Sequence, residues 1–141
     1  MHRGFTLLQL LVVIGVMFVL AAMGLPRISS SLDGIAVRGA ATDVASAFAL
    51  ARNAALVRSA YVAVRIDSAR RSVVVRMGSD TLLIRRVGDA HGVTIQSNRD
   101  SMSYSPIGHG YGAANQSIVV SRGRSADTVV ISRLGRVRYR N

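Results

Sequence analysis

The sequence predicts an α+β fold, with one long N-terminal helix laid on an antiparallel β-sheet head. An apolar run from Phe5 to Leu25 is broken only by Thr6 and Gln9. Behind it, Val37, Ala41, Val44, Phe48, Ala51 and Ala55 recur at alternating spacings of four and three, which makes one apolar helical stripe. From Tyr61 onward the period switches to two, in short β-branched runs separated by turn residues.

The first element is the apolar run. Its 21 residues, at about 1.5 Å each, cover the roughly 30 Å hydrocarbon core of a bilayer. A buried helix of a soluble protein is rarely apolar on every face for so long. A cleaved secretory signal fits less well, because the charged region is only Met1-His2-Arg3 and Leu20-Ala21-Ala22-Met23 is a poor cleavage site. Charge asymmetry gives little orientation, with Arg3 on one side and Arg27 and Arg38 on the other. Pro26 and Gly34 mark a junction that can kink. The helix then continues in amphipathic form, with Arg38, Asp43, Arg52 and Asn53 off the apolar stripe. It is expected to run from Phe5 to about Arg58, roughly 80 Å at the usual rise.

Candidate strands follow at Tyr61–Ile66, Ser72–Met77, Thr81–Val87, Val93–Gln96, Met102–Ser105, Ser117–Ser121, Thr128–Ser132 and Arg136–Arg140. The short connections Asp67-Ser68-Ala69-Arg70, Gly78-Ser79-Asp80 and Leu134-Gly135 favour antiparallel hairpins. The longest loop, Pro106 to Gln116, is rich in glycine. The expected organisation is residues 1–4 as a leader, 5–26 as a membrane or filament-core helix, 27–58 as its amphipathic continuation and 59–141 as the β-rich head.

Composition narrows the chemistry. All 18 basic residues are Arg and all 7 acidic residues are Asp; Lys, Glu, Cys and Trp are absent. This excludes a Lys Schiff base, a catalytic Glu, a nucleophilic Cys and thiolate metal sites. A net charge of +11 on a 15.0 kDa chain attracts polyanions, either nucleic acid or acidic lipid headgroups. The charge concentrates at the end, where Arg122, Arg124, Arg133, Arg136, Arg138 and Arg140 face one Asp127.

The N-terminus resembles the class III signal of type IV pilins and type II secretion pseudopilins. Gly4-Phe5-Thr6-Leu7-Leu8-Gln9-Leu10, the apolar run and Pro26 fall in that family's register over about the first thirty residues. The resemblance implies that a prepilin peptidase cuts after Gly4 and methylates the new terminal amine of Phe5. It also implies an inner-membrane protein with its head in the periplasm, which then enters a pseudopilus or a pilus. Phe5, Gln9 and Pro26 would serve filament assembly. There is one departure, because the family usually has a glutamate where this chain has Gln9. A carboxylate there offsets the buried terminal amine of a neighbouring subunit; Gln9 accepts a hydrogen bond but cannot cancel the charge. Among pseudopilins, loss of this acid is associated with the subunit at the tip.

The second half resembles the H-type pseudopilin and T-type fimbrial minor pilin family (GspH/FimT). The similarity lies in Ala45 to Ala55, in Tyr104-Ser105-Pro106-Ile107-Gly108 and in the ending from Val129 to Arg138. Some T-type members bind DNA through a C-terminal Gly-Arg-x-Arg motif, matched here by Gly135, Arg136, Val137 and Arg138. On a strand, Arg136, Arg138 and Arg140 project from one face at about 7 Å intervals, with Val137 and Tyr139 on the other face, toward the core. Such a line suits a phosphate backbone without base readout.

The remaining candidates are weaker. Gly108-His109-Gly110-Tyr111-Gly112 lacks the helix and lysine of a phosphate-binding loop and is expected to be a flexible loop. His91 and His109 are expected to be exposed loop histidines, with no metal-ligand spacing near them. Asp127, His109 and a serine make no triad, because no nucleophile elbow is present. No enzyme, cofactor or metal site is implied. The leading expectation is a minor pilin or pseudopilin whose partners are other pilins, the prepilin peptidase and inner-membrane lipid. The alternatives are a pilus-borne DNA-binding subunit and a bitopic protein whose basic head binds acidic lipid.

Overall fold

The computed structural model describes residues 6–111 and 115–140, and for residues 24–28 it describes the backbone alone. Gly4, Phe5 and the side chain of Pro26 therefore lie outside the described residues, as does Gly112. The chain divides into two compact units, residues 1–32 and 33–141.

A single helix, α1 (Leu7–Arg58), runs through both units. It starts on a reciprocal cap. The Gln9 side-chain oxygen accepts from the Thr6 backbone N–H at 3.1 Å, and the Thr6 hydroxyl accepts from the Gln9 N–H at 3.3 Å. Two amide donors that the first helical turn would otherwise leave unpaired are thus satisfied. Every described side chain from Thr6 to Met23 is exposed, from Leu7 at 81% to Ile14 at 47%.

In the second unit the helix gains a buried face. Among the described residues, nine strands and one short helix follow it: β1 (Val62–Asp67), β2 (Ser72–Met77), β3 (Asp80–Arg85), α2 (Val87–His91), β4 (Thr94–Ser97), β5 (Ser101–Tyr104), β6 (Gly110–Tyr111), β7 (Gln116–Arg122), β8 (Ser125–Ile131) and β9 (Val137–Arg140). They form two antiparallel sheets, one in the order β3-β2-β1-β5-β6 and the other β4-β7-β8-β9. One core joins the helix to both sheets. Val37, Val44 and Phe48 meet Val64 and Val75 of the first sheet and Ile118 and Ile131 of the second in one buried cluster. Five buried alanines between Ala40 and Ala51, with Ala55 beyond, make the rest of the helical face. Methyl-sized side chains let the sheets approach the helix closely. Phe48 supplies the bulk and meets the buried Tyr104 ring edge-to-face, with centroids 6.5 Å apart.

Polar ties add to the apolar face at three heights along the helix. Asp33 pairs with Arg122 at 2.9 Å. Asp43 accepts from Arg85 Nη1 and also meets His91 Nε2, each at 2.9 Å. Arg52 Nε donates to the Gly108 carbonyl at 3.0 Å.

The structure departs from the sequence reading in several places. Val87 does not extend β3; it opens α2, which ends at Gly92 in the left-handed conformation (φ 63°). Glycine-rich residues expected as a flexible loop contain a closed turn, with Ser105 N–H on the His109 carbonyl at 2.8 Å, followed by β6. His91 is half-buried and paired with Asp43, so it is not an exposed loop residue; His109 is exposed. The strands expected at Ser117–Ser121 and Thr128–Ser132 are longer and meet in the tight Gly123-Arg124 turn.

Candidate functional site: the C-terminal arginine strand and its groove

The last strand is an edge. β9 pairs with β8 on one side only, in the register Val137↔Ile131, Arg138↔Val130, Tyr139↔Val129 and Arg140↔Thr128. Paired residues share a face. Val129 and Ile131 are buried, so Val137 and Tyr139 point to the inner side, and Arg138 and Arg140 point outward. Arg136 lies one residue before the strand and is exposed, and its carbonyl accepts from the Ser132 N–H at 2.9 Å. Among the described residues, no carboxylate lies within ion-pair distance of Arg136, Arg138 or Arg140. The expected inner face holds only in part. Val137 is half-buried, but Tyr139 is 54% exposed, because an edge strand overhangs the core.

Gly135 shapes the entry to this strand. It is buried, its φ is +75°, and its N–H bonds the Ser132 carbonyl at 2.8 Å. A Cβ there would stand 2.8 Å from the Gly108 carbonyl oxygen and 2.9 Å from Tyr104 Cε1. The glycine is thus required twice, by its left-handed backbone and by close packing. Tyr104 is fully buried, and its hydroxyl oxygen has no hydrogen-bond partner among the described residues. Burial raises its pKa to about 12, against an opposing pull from Arg52.

Between β9 and the helix lies a groove of about 580 Å³, lined by Ala49, Arg52, Asn53, Leu56 and residues 135–138. Arg136 and Arg138 therefore border one groove with Arg52 of the helix, whereas Arg140 does not line it. Arg52, which the sequence places only as a polar position off the helical stripe, lines this groove and holds the Gly108 carbonyl. The other singled-out residues stand apart. Asp127 is buried at 7% exposure with no hydrogen bond to His109. Among the described residues, no three His or Asp side chains are grouped to hold a metal ion.

A family model described as type II transport protein GspH matches residues 40–135, most of the chain. The chain belongs to the GspH family. This GspH-family head also resembles two crystal forms of the Pseudomonas aeruginosa type IV minor pilin FimU. The TM-scores are 0.64 and 0.61, at 12% and 11% identity. Each comparison covers 74% of this chain, with 88% and 92% of the FimU chains. At that identity the likeness establishes the fold, which is pilin-like. No curated protein matches the sequence. The matched segment contains Arg52, Tyr104, Gly108 and Gly135, and it ends where the Arg line begins.

Proposed function

We propose that this GspH-family chain is a minor subunit of a type II secretion pseudopilus or a type IV pilus, made as a prepilin. The observation that carries the reading is the pairing of a GspH-family head with a helix whose described residues from Thr6 to Met23 are all exposed and almost wholly apolar. In water that surface would be unfavourable by on the order of 25 cal/mol per Å², so it calls for lipid or the packed helices of a filament. The more C-terminal Ser29–Arg58 stretch is also apolar enough to span a bilayer, but its apolar stripe is already buried in the head. The anchor is therefore the first half of the helix. A prepilin peptidase cuts between Gly4 and Phe5 and methylates Phe5. The helix holds the protein in the inner membrane with its head in the periplasm until assembly.

Co-expression with a prepilin peptidase tests this. Intact-mass measurement should show loss of Met1 to Gly4 and a methylated Phe5; a mature protein still starting at Met1 would refute it. Gln9 favours a rare or tip position, because it cannot neutralise a neighbour's terminal amine. Subunit counting in purified filaments should find it scarce, and Gln9→Glu should change assembly little.

A second reading, DNA binding during uptake, is favoured by the outward Arg138 and Arg140 beside Arg136, none of them in an ion pair among the described residues. Each phosphate contact contributes about 0.9 to the slope of log affinity against log salt. Arg136→Ala with Arg138→Ala should lower that slope by roughly 1.8. Arg70 and Arg71 make a poor control, since they pair with Asp67 and Asp89. Arg65 and Arg76, exposed on β1 and β2 without an ion pair among the described residues, are better matched. Equal weakening by both pairs would mean diffuse attraction to a basic protein.

A further inference from the structure

The free side of β9 is a template for another strand. Ser132 N–H bonds the Arg136 carbonyl, which makes 132/136 a hydrogen-bonded pair. Antiparallel pairs alternate, so Arg138 and Arg140 also direct their amides toward β8. Val137 and Tyr139 must then direct both N–H and C=O away from the sheet, where no strand among the described residues pairs with them. The groove of about 580 Å³ opens beside this edge. The other edges lack the combination: β6 has two residues, β4 (Thr94–Ser97) carries no arginine, and Arg85 on β3 is held by Asp43.

We propose that β9 accepts an extended segment of a neighbouring, acidic subunit as an added antiparallel strand, with apolar and acidic residues in alternation. The inward side chains of that strand enter the groove over Val137, Ala49 and Leu56. The outward ones lie beside Arg138 and Arg140, where opposite charges across a strand pair attract. Charge and sequence exclude a second copy as the donor. The chain carries +11, has no Glu, and no two of its seven Asp residues lie two apart. The subunit reading enters only in naming the donor as a filament neighbour; the strand chemistry stands without it.

The probe is a dye-labelled peptide of about six alternating Val and Glu residues, long enough to cover the four residues of β9. It is titrated against the full chain in detergent micelles and read by fluorescence anisotropy. It should bind at least tenfold more tightly than a peptide of the same composition with the Val and Glu residues in separate blocks. In antiparallel pairing the Val amides face β9, so N-methylation of the Val residues should abolish binding, and N-methylation of the Glu residues should not. Tyr139→Pro, which removes an outward N–H, should weaken the alternating peptide at least tenfold and leave duplex DNA affinity unchanged. Equal binding of the alternating and block peptides, or equal binding of the two N-methylated forms, would overturn the proposal. So would a protein that binds duplex DNA through Arg138 but never the peptide, which would assign this edge to nucleic acid. Because peptide binding does not depend on cleavage after Gly4, failure here and failure of the prepilin reading are separate outcomes.

Discussion

Replacing Gly135 by alanine should destabilise the head far more than the same change at an open glycine turn. Two costs arise at Gly135. An L-residue held at φ +75° is unfavourable by about 1–2 kcal/mol. The added methyl also presses on the Gly108 carbonyl oxygen at 2.8 Å and on the Tyr104 ring at 2.9 Å. Neither neighbour can retreat freely, because Arg52 holds that carbonyl and Tyr104 is fully buried. Overpacking of this kind costs about 1–3 kcal/mol, so a total of ~3 kcal/mol is expected. For a unit of about 110 residues this lowers the melting temperature by roughly 13 °C. Gly78 is the control, with φ +58° and nothing within 4 Å of its Cβ. Gly78→Ala meets only the backbone cost, roughly 5 °C. Thermal unfolding of the full chain in detergent, followed by the β-sheet circular dichroism signal, measures both. If Gly135→Ala melts no lower than Gly78→Ala, the turn is not rigidly packed. The Gly of the Gly-Arg-x-Arg motif would then need an explanation in ligand contact.

Tyr104→Phe should leave stability at neutral pH unchanged or raise it by about 1 kcal/mol, since the buried hydroxyl has no partner among the described residues. Its folded pKa of about 12 lies above the ordinary 10, so the folded protein keeps a proton there that the unfolded chain loses. Stability present below pH 10 should fall by on the order of 1 kcal/mol per pH unit toward 12, and denaturant titrations of Tyr104→Phe should lack that slope. Asp43→Ala strands Arg85 and His91 together; with Arg85 partly exposed, a loss of about 1–2 kcal/mol by urea titration is expected. Thr6→Ala should speed amide exchange over the first turn of α1, consistent with about 1 kcal/mol of lost capping, and Gln9→Glu should not.

The long helix and most strand positions were legible because periodicity is a local property. The order of strands within two sheets was not, since β1 pairs with β5 across four intervening elements. Val87-Gly88-Asp89-Ala90-His91 carries too few residues to show a helical period, so α2 passed as the end of a strand and a loop. His91 was misread for a similar reason, as its partner Asp43 lies 48 residues away. The Thr6…Gln9 cap, by contrast, is a Thr-x-x-Gln spacing that is fully local, and it uses Gln9 as a neutral hydrogen-bonding partner. At the C-terminus, the alternation of Arg with Val137 and Tyr139 gave the two faces correctly. That β9 is an edge, that Tyr139 overhangs the core and that Arg52 lies across the groove all depend on tertiary placement.

The three polar ties along the helix also bear on how the head would carry a mechanical load. Asp33, Asp43 and Arg52 sit roughly 15 Å and 14 Å apart along the axis, each bonded to a different part of the β-rich head. The face between them is mostly alanine, with Val37, Val44 and Phe48 as its bulkier buried side chains. Axial tension on α1 would therefore load all three ties at once, in shear, instead of peeling them one after another. The helix should resist extraction from its head until the ties yield together, and then slip abruptly.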